Sequence, residues 1–215
     1  MNYFWVFMVS AFSIALPVIF SMARLKRFGK RYRSLLFLFT TGLLNEVTSY
    51  WMIKQYRNNL PNSNIYTLIE YLLLTWLFWD ISKQKFSRVR LALITAMIIW
   101  IADNCWWHTL AESNIIFRTY ASLMLVSLSM DKINQLLMGS FGDPYKNTDL
   151  LLCLSLLGFH TYRVWINIFH LFVKSMTPAF FVSLWLILCC MNLLANITYS
   201  IAILCIPKQK NYIRY

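Results

Sequence analysis

Acidic side chains are scarce in this chain: eight Asp and Glu stand against twenty Lys and Arg, giving a formal net charge of +12 over 215 residues. Glycine and proline are scarcer still, at five each. Helix breakers are therefore few, and long helices run with little to interrupt them. Transporters built from inverted repeats usually announce broken helices through Gly or Pro, so the shortage weighs against that class. Only three histidines are present, too few for the seven-helix hydrolases that gather zinc ligands from several helices. His160 and His170 are separated along one helix by about 15 Å and cannot share a haem. No lysine falls between Lys174 and Lys208, which removes a retinal Schiff base in the last helix. A G-x-S-x-G nucleophile setting is also absent. The five cysteines (Cys105, Cys153, Cys189, Cys190 and Cys205) lie in or beside apolar segments with no C-x-x-C spacing, and read as packing residues rather than disulfides or ligands. No metal and no cofactor are expected.

What is present is apolar length. Hydrophobic residues make up 59% of the chain and charged residues 13%, too greasy for a soluble domain of this size. Crossing the hydrocarbon takes about 20 apolar residues as helix, and only helices or closed barrels satisfy their own backbone there. The apolar runs are continuous, without the alternation of a barrel, so the fold class expected is all-α: a polytopic bundle of seven transmembrane helices forming one domain over 1–215. Approximate spans fall at 3–21, 35–53, 65–82, 91–107, 115–131, 150–173 and 178–206. The first run is followed, not preceded, by its charges (Arg24, Lys26, Arg27), unlike a cleaved signal peptide.

Basic residues sit in the connections between runs, so the charge reads as a topology signal and not as a nucleic-acid footprint. Fifteen of them fall on one side and three (Lys54, Arg57, Lys174) on the other. The positive-inside rule then puts the N-terminus outside and the C-terminus in the cytoplasm. Trp5, Tyr50, Trp51, Trp106 and Trp107 fall at the outer ends and Trp79 at an inner end, as interfacial belts require. A cell membrane, most simply a bacterial inner membrane, is the expected location.

Ionisable residues within spans are rare and mark sites or pathways by default. Here they are Glu46, Glu70, Asp103, Arg118, His160 and Arg163, joined by Asn167 on the Arg163 helix. At about 1.5 Å per residue, Glu46, Glu70, Asp103, Arg118 and Arg163 all lie in the outer half; Asp80 and Asp131 mark the inner boundary. His160, Arg163, Asn167 and His170 share an arc of roughly 80° at about 100° per residue, a single polar stripe. Gly42, Glu46, Ser49 and Tyr50 share another face, and so do Cys189, Asn192, Asn196 and Ser200. The 35–53 and 65–82 hairpin brings Glu46 toward Glu70, two carboxylates that need a cation between them, and Arg163 is the expected cation. An Asp103–Arg118 pair is expected across the next outer hairpin. A structural reading stands beside each: Arg118 can snorkel to the interface, and buried acids can simply join helices.

These observations favour a sensor-like or solute-binding membrane protein, with an outward-facing pocket for a small polar or charged ligand. Its signal would pass to a separate cytoplasmic or membrane partner through the basic loops. The alternatives are a proton- or ion-coupled transporter, a membrane enzyme acting on lipid, and an accessory subunit. The enzyme reading would use a carboxylate and His160 as acid and base, and the balance leans against it.

Overall fold

The computed structural model describes residues 3–81, 86–139, 144–172 and 176–207. Within them the architecture is helical throughout, with no strand. Helix occupies each of the seven apolar stretches: α1 (Phe4–Phe12) with α2 (Ala15–Ala23), α3 (Arg33–Tyr56), α4 (Leu60–Ile81), α5 (Phe86–Ala102), α6 (Ile115–Leu137), α7 (Thr148–Leu171) and α8 (Pro178–Leu204). Four segments are long and apolar enough to cross a membrane on those grounds alone: Phe4–Ala23, Val89–Trp107, Thr148–Leu171 and Pro178–Leu204. The chain is thus a multi-helix membrane protein.

Local signals set the ends. The first stretch is broken at Ser13–Ile14, where a straight helix was expected. Pro17 lacks the N–H that would bond the Ser13 carbonyl, and its ring crowds that carbonyl. Arg57 ends α3 in the left-handed region at φ 55°, after which the Asn58 side chain accepts from Leu60 N at 2.9 Å and starts α4. Asn147 caps α7 by accepting from Leu150 N. Thr177 caps α8 in the same way ahead of Pro178, a residue whose missing N–H costs nothing at a first helical position. Past α5, the chain widens into a π-turn over Asp103–Trp107, closed by His108 N donating to Asp103 O.

Each helix packs on its chain neighbours, and α8 returns to α1 and α2, closing the helices into a ring. α4 also reaches α6 and is well enclosed, with Asn64, Thr67, Tyr71, Leu74, Thr75, Phe78 and Ile81 buried along it. Those positions recur at three- and four-residue spacing, the period of one helix face. Because α4 meets protein on so much of its circumference, it need not be apolar enough for lipid, which explains why length and hydropathy alone do not single it out. α3 packs mainly on α4 but leaves Phe37, Leu44, Val47, Trp51 and Ile53 exposed. At their crossing, a Cβ on Gly42 would stand 2.3 Å from Ile14 Cδ1 and 2.9 Å from the Tyr66 hydroxyl, so this glycine lets α2, α3 and α4 approach. The core is filled by Leu35 and Phe39 of α3, Tyr71 and Phe78 of α4, Phe117 and Leu125 of α6, Leu156 of α7 and Ile203 of α8.

Candidate functional site

α4 and α7 are not close neighbours by backbone, yet a buried ion pair joins them across the ring. Arg163 donates through Nη1 to Glu70 Oε2 at 2.7 Å. The two side chains retain 16% and 14% of their surface. The guanidinium also lies 5.5 Å from the centre of the Phe159 ring, within cation–π range.

Other polar groups surround this pair. Tyr66 lies one turn from Glu70 on α4, and Tyr199 of α8 packs against Phe39 with ring centres 5.5 Å apart; both phenols are within electrostatic reach of Glu70 and Arg163. His160, one turn from Arg163 on α7, is 1% exposed, and neither ring nitrogen has a partner among the described residues. Asn167 Nδ2, one turn beyond Arg163 on the other side, is buried and likewise unpartnered. Glu46 of α3 lies within electrostatic reach of Glu70 and, among the described residues, accepts only from its neighbour Asn45, at 3.2 Å. Asn45 Oδ1 in turn accepts from Asn62 Nδ2 at 2.8 Å, and Asn62 also donates to Ser49. Glu46, Glu70, His160, Arg163 and Asn167 therefore form one central cluster.

Asp103 and Arg118 are not paired with each other. Asp103 is fully buried and divides its oxygens between His108 Nδ1 and Phe117 N, both at 2.8 Å. It clasps the loop and caps the first turn of α6, where a carboxylate meets free N–H groups and the positive end of the helix dipole. Arg118 turns instead to α4, donating to Asn114 at 2.7 Å, Ser63 at 2.8 Å and Asn64 at 3.0 Å. Asn64 passes the link on to the Leu110 and Glu112 carbonyls, and Trp100 donates to the Asn64 carbonyl. This second cluster fastens the loop 108–114 to α4.

A third cluster went unread in the sequence. At the opposite ends of the helices, Asp149 of α7 is 4% exposed. It accepts from Arg31 and from the Tyr32 hydroxyl at 2.7 Å, and faces Lys132 Nζ at 3.7 Å. Lys132, 6% exposed, donates to the last carbonyl of α4, Ile81 O, at 2.6 Å. Burial and the adjacent carboxylate push the Tyr32 phenol above its ordinary range. Lys132 belongs in sequence to the basic connections, and Asp149 lies one residue before the expected span. The readable signal was the Asn147 cap, which puts Asp149 in the first turn of α7.

The stripe on α8 is satisfied internally. Asn192 donates to Ser10 O and Asn196 to Ser13 Oγ, at 3.0 and 2.7 Å, while Ser200 donates to Asn196 O. Two cavities, of about 280 and 190 Å³, lie between α1 and α8 and between α7 and α8; neither is lined by the seven candidate residues, though the smaller one touches Phe159. Among the described residues, no group of three or more His, Cys, Asp or Glu is placed to hold a metal. Chemically, the central cluster offers a fixed ion pair, a carboxylate with acceptor capacity to spare, an unpartnered imidazole and a free amide donor. No protein-family model, no curated protein and no solved structure matches this chain.

Proposed function

We propose that this chain is a seven-pass membrane protein, N-terminus outside and C-terminus in the cytoplasm, that binds a small polar or charged solute in its outer half in the manner of a sensor. The observation that carries the reading is His160: both nitrogens of a fully buried ring lack a partner beside the Glu70–Arg163 pair. A buried polar group without a hydrogen bond costs about 1–3 kcal/mol, so the site is built for a hydrogen-bonding guest. Glu70 and Arg163 keep part of their surface, in keeping with access for such a guest. The exposed tryptophans Trp5, Trp51, Trp106 and Trp107 fall at the ends assigned to the outer interface, in keeping with the topology.

Coupled transport is the weaker reading. Its inner path would need Asn192, Asn196 and Ser200, and these are already engaged with α1, the Ser13 break or their own helix. With the N-terminus outside, the basic connection 24–33 lies in the cytoplasm, and a signal would leave through it to a separate partner.

The test is thermal unfolding of the purified protein against a library of small polar solutes. A stabilising solute whose effect is lost in His160→Ala and in Glu70→Gln, without flux in proteoliposomes, is the expected result. Solute uptake driven by a pH gradient and abolished in Glu70→Gln would replace sensing with transport. A library that stabilises His160→Ala as well as the parent protein would reduce the cluster to helix-joining contacts.

A further inference from the structure

We infer that the solute this cluster accepts is a small organic ammonium ion, held where Glu46 faces the Glu70–Arg163 pair; the inference rests on the solute-site reading above. Charge matching decides the class. Arg163 is claimed by Glu70 at 2.7 Å, which leaves Glu46 as the acid of the central cluster with no cation against it. Its one hydrogen-bond partner among the described residues is the neutral amide of Asn45. The other cation within reach, Arg118, is spent on Asn114, Ser63 and Asn64, and its field is shared between Glu70 and Asp103. With Glu46, Glu70 and Asp103 set against Arg118 and Arg163, an anionic solute would bring a fourth negative charge to a region already one cation short. A cation would complete it.

The remaining groups suit an ammonium over a bare metal ion or a neutral polyol. No three-ligand group for a metal is present among the described residues. An imidazole nitrogen without its proton, such as one of the two on His160, accepts an N–H. The Tyr66 and Tyr199 phenol oxygens, within electrostatic reach of the pair, are of the kind that accept an ammonium N–H, while Phe159 is already occupied by Arg163. Asn167 Nδ2, buried and unpartnered, offers a donor to an oxygen elsewhere on the same solute. Glu46 keeps partial surface although Gly42 and Ser49, on its own face of α3, are buried, so the carboxylate is reachable where its neighbours are not.

A size-matched series tests this: ethanolamine, ethylene glycol and glycolate carry positive, zero and negative charge on the same two-carbon frame. The full-length protein in phosphatidylglycerol nanodiscs, which contain no ammonium headgroup, is titrated with each. Ethanolamine alone is expected to raise the unfolding temperature. In Glu46→Gln, which preserves shape and the Asn45 hydrogen bond, its Kd should rise about tenfold or more, whereas Glu112→Gln in the exposed loop should leave it unchanged. Adding phosphatidylethanolamine to the nanodiscs separates sources. Stabilisation by that lipid alone, again lost in Glu46→Gln, assigns the ammonium to a headgroup, and stabilisation by free ethanolamine assigns it to a soluble amine. Equal or greater stabilisation by glycolate or ethylene glycol, lost in His160→Ala, overturns the inference while the solute site stands. The absence of any shift from ethanolamine and from phosphatidylethanolamine overturns it as well.

Discussion

At the scale of single residues, the three charged clusters show how differently buried ions are managed. Arg31 is 51% exposed on its side chain, so its link to Asp149 is screened and contributes little. Lys132 and Asp149, at 8% and 6%, are not screened. Removing one partner of such a pair strands the other, at a cost of about 3 kcal/mol. Asp149→Ala is therefore expected to destabilise the protein by about that amount in equilibrium unfolding, with Asp149→Asn intermediate because it can still accept from Tyr32. A change under about 0.5 kcal/mol in Asp149→Ala, typical of an unengaged surface position, would show that the cluster is not a structural joint. Residue-scale reading of the sequence succeeded for Glu70 and Arg163, because depth in an apolar helix singles out a charge. It failed for Asp149 and Lys132, whose charges sit where solvated loop charges are common. It also failed for the Asp103–Arg118 pair: backbone N–H groups at a helix start and side-chain amides on α4 compete for the same ions, and no spacing rule ranks those competitors.

At the scale of elements, position along the chain was legible and shape was not. Apolar length placed helix in all seven stretches, since few breakers interrupt them. Pro17 was visible, but the break it makes at Ser13–Ile14 is completed by α8, a partner 180 residues away in sequence. There Ser10 Oγ donates to Cys189 O at 3.0 Å and Asn196 donates to Ser13 Oγ. The Cys189, Asn192, Asn196 and Ser200 face, legible as a stripe, thus reads as the counterpart of a kink. Hydrogen bonds between membrane helices contribute about 0.6 kcal/mol on average and up to about 1.7. Asn196→Ala should accordingly cost about 1 kcal/mol, and the loss should be larger than that of Thr198→Ala, whose hydroxyl bonds only its own helix at Leu194 O. Equal losses in the two variants would mean that α8 does not hold the kink.

At the scale of the whole molecule, the ring closure and the charge asymmetry make one joint prediction. Single cysteines introduced in a cysteine-free background at Ala111, in the exposed loop between α5 and α6, and at Leu25, in the exposed basic connection, should label oppositely in intact cells. A membrane-impermeant maleimide should reach position 111 and miss position 25 until the membrane is opened; the reverse pattern would invert the topology. The all-helical architecture was legible because the apolar runs are long and little interrupts them, and the orientation that the fifteen-against-three bias of basic residues predicts is what the labelling tests, whereas the order of helices around the ring needed the long-range contacts that no single segment encodes.

The Glu70–Arg163 pair also bears on synthesis. The acid is made 93 residues before its cation, and Arg31 waits 118 residues for Asp149. A chain growing from its N-terminus therefore carries both early charges uncompensated until α7 arrives. Closure of the bundle is a late event, and the nascent α3–α4 hairpin must be sheltered by water, lipid headgroups or the insertion machinery until it happens.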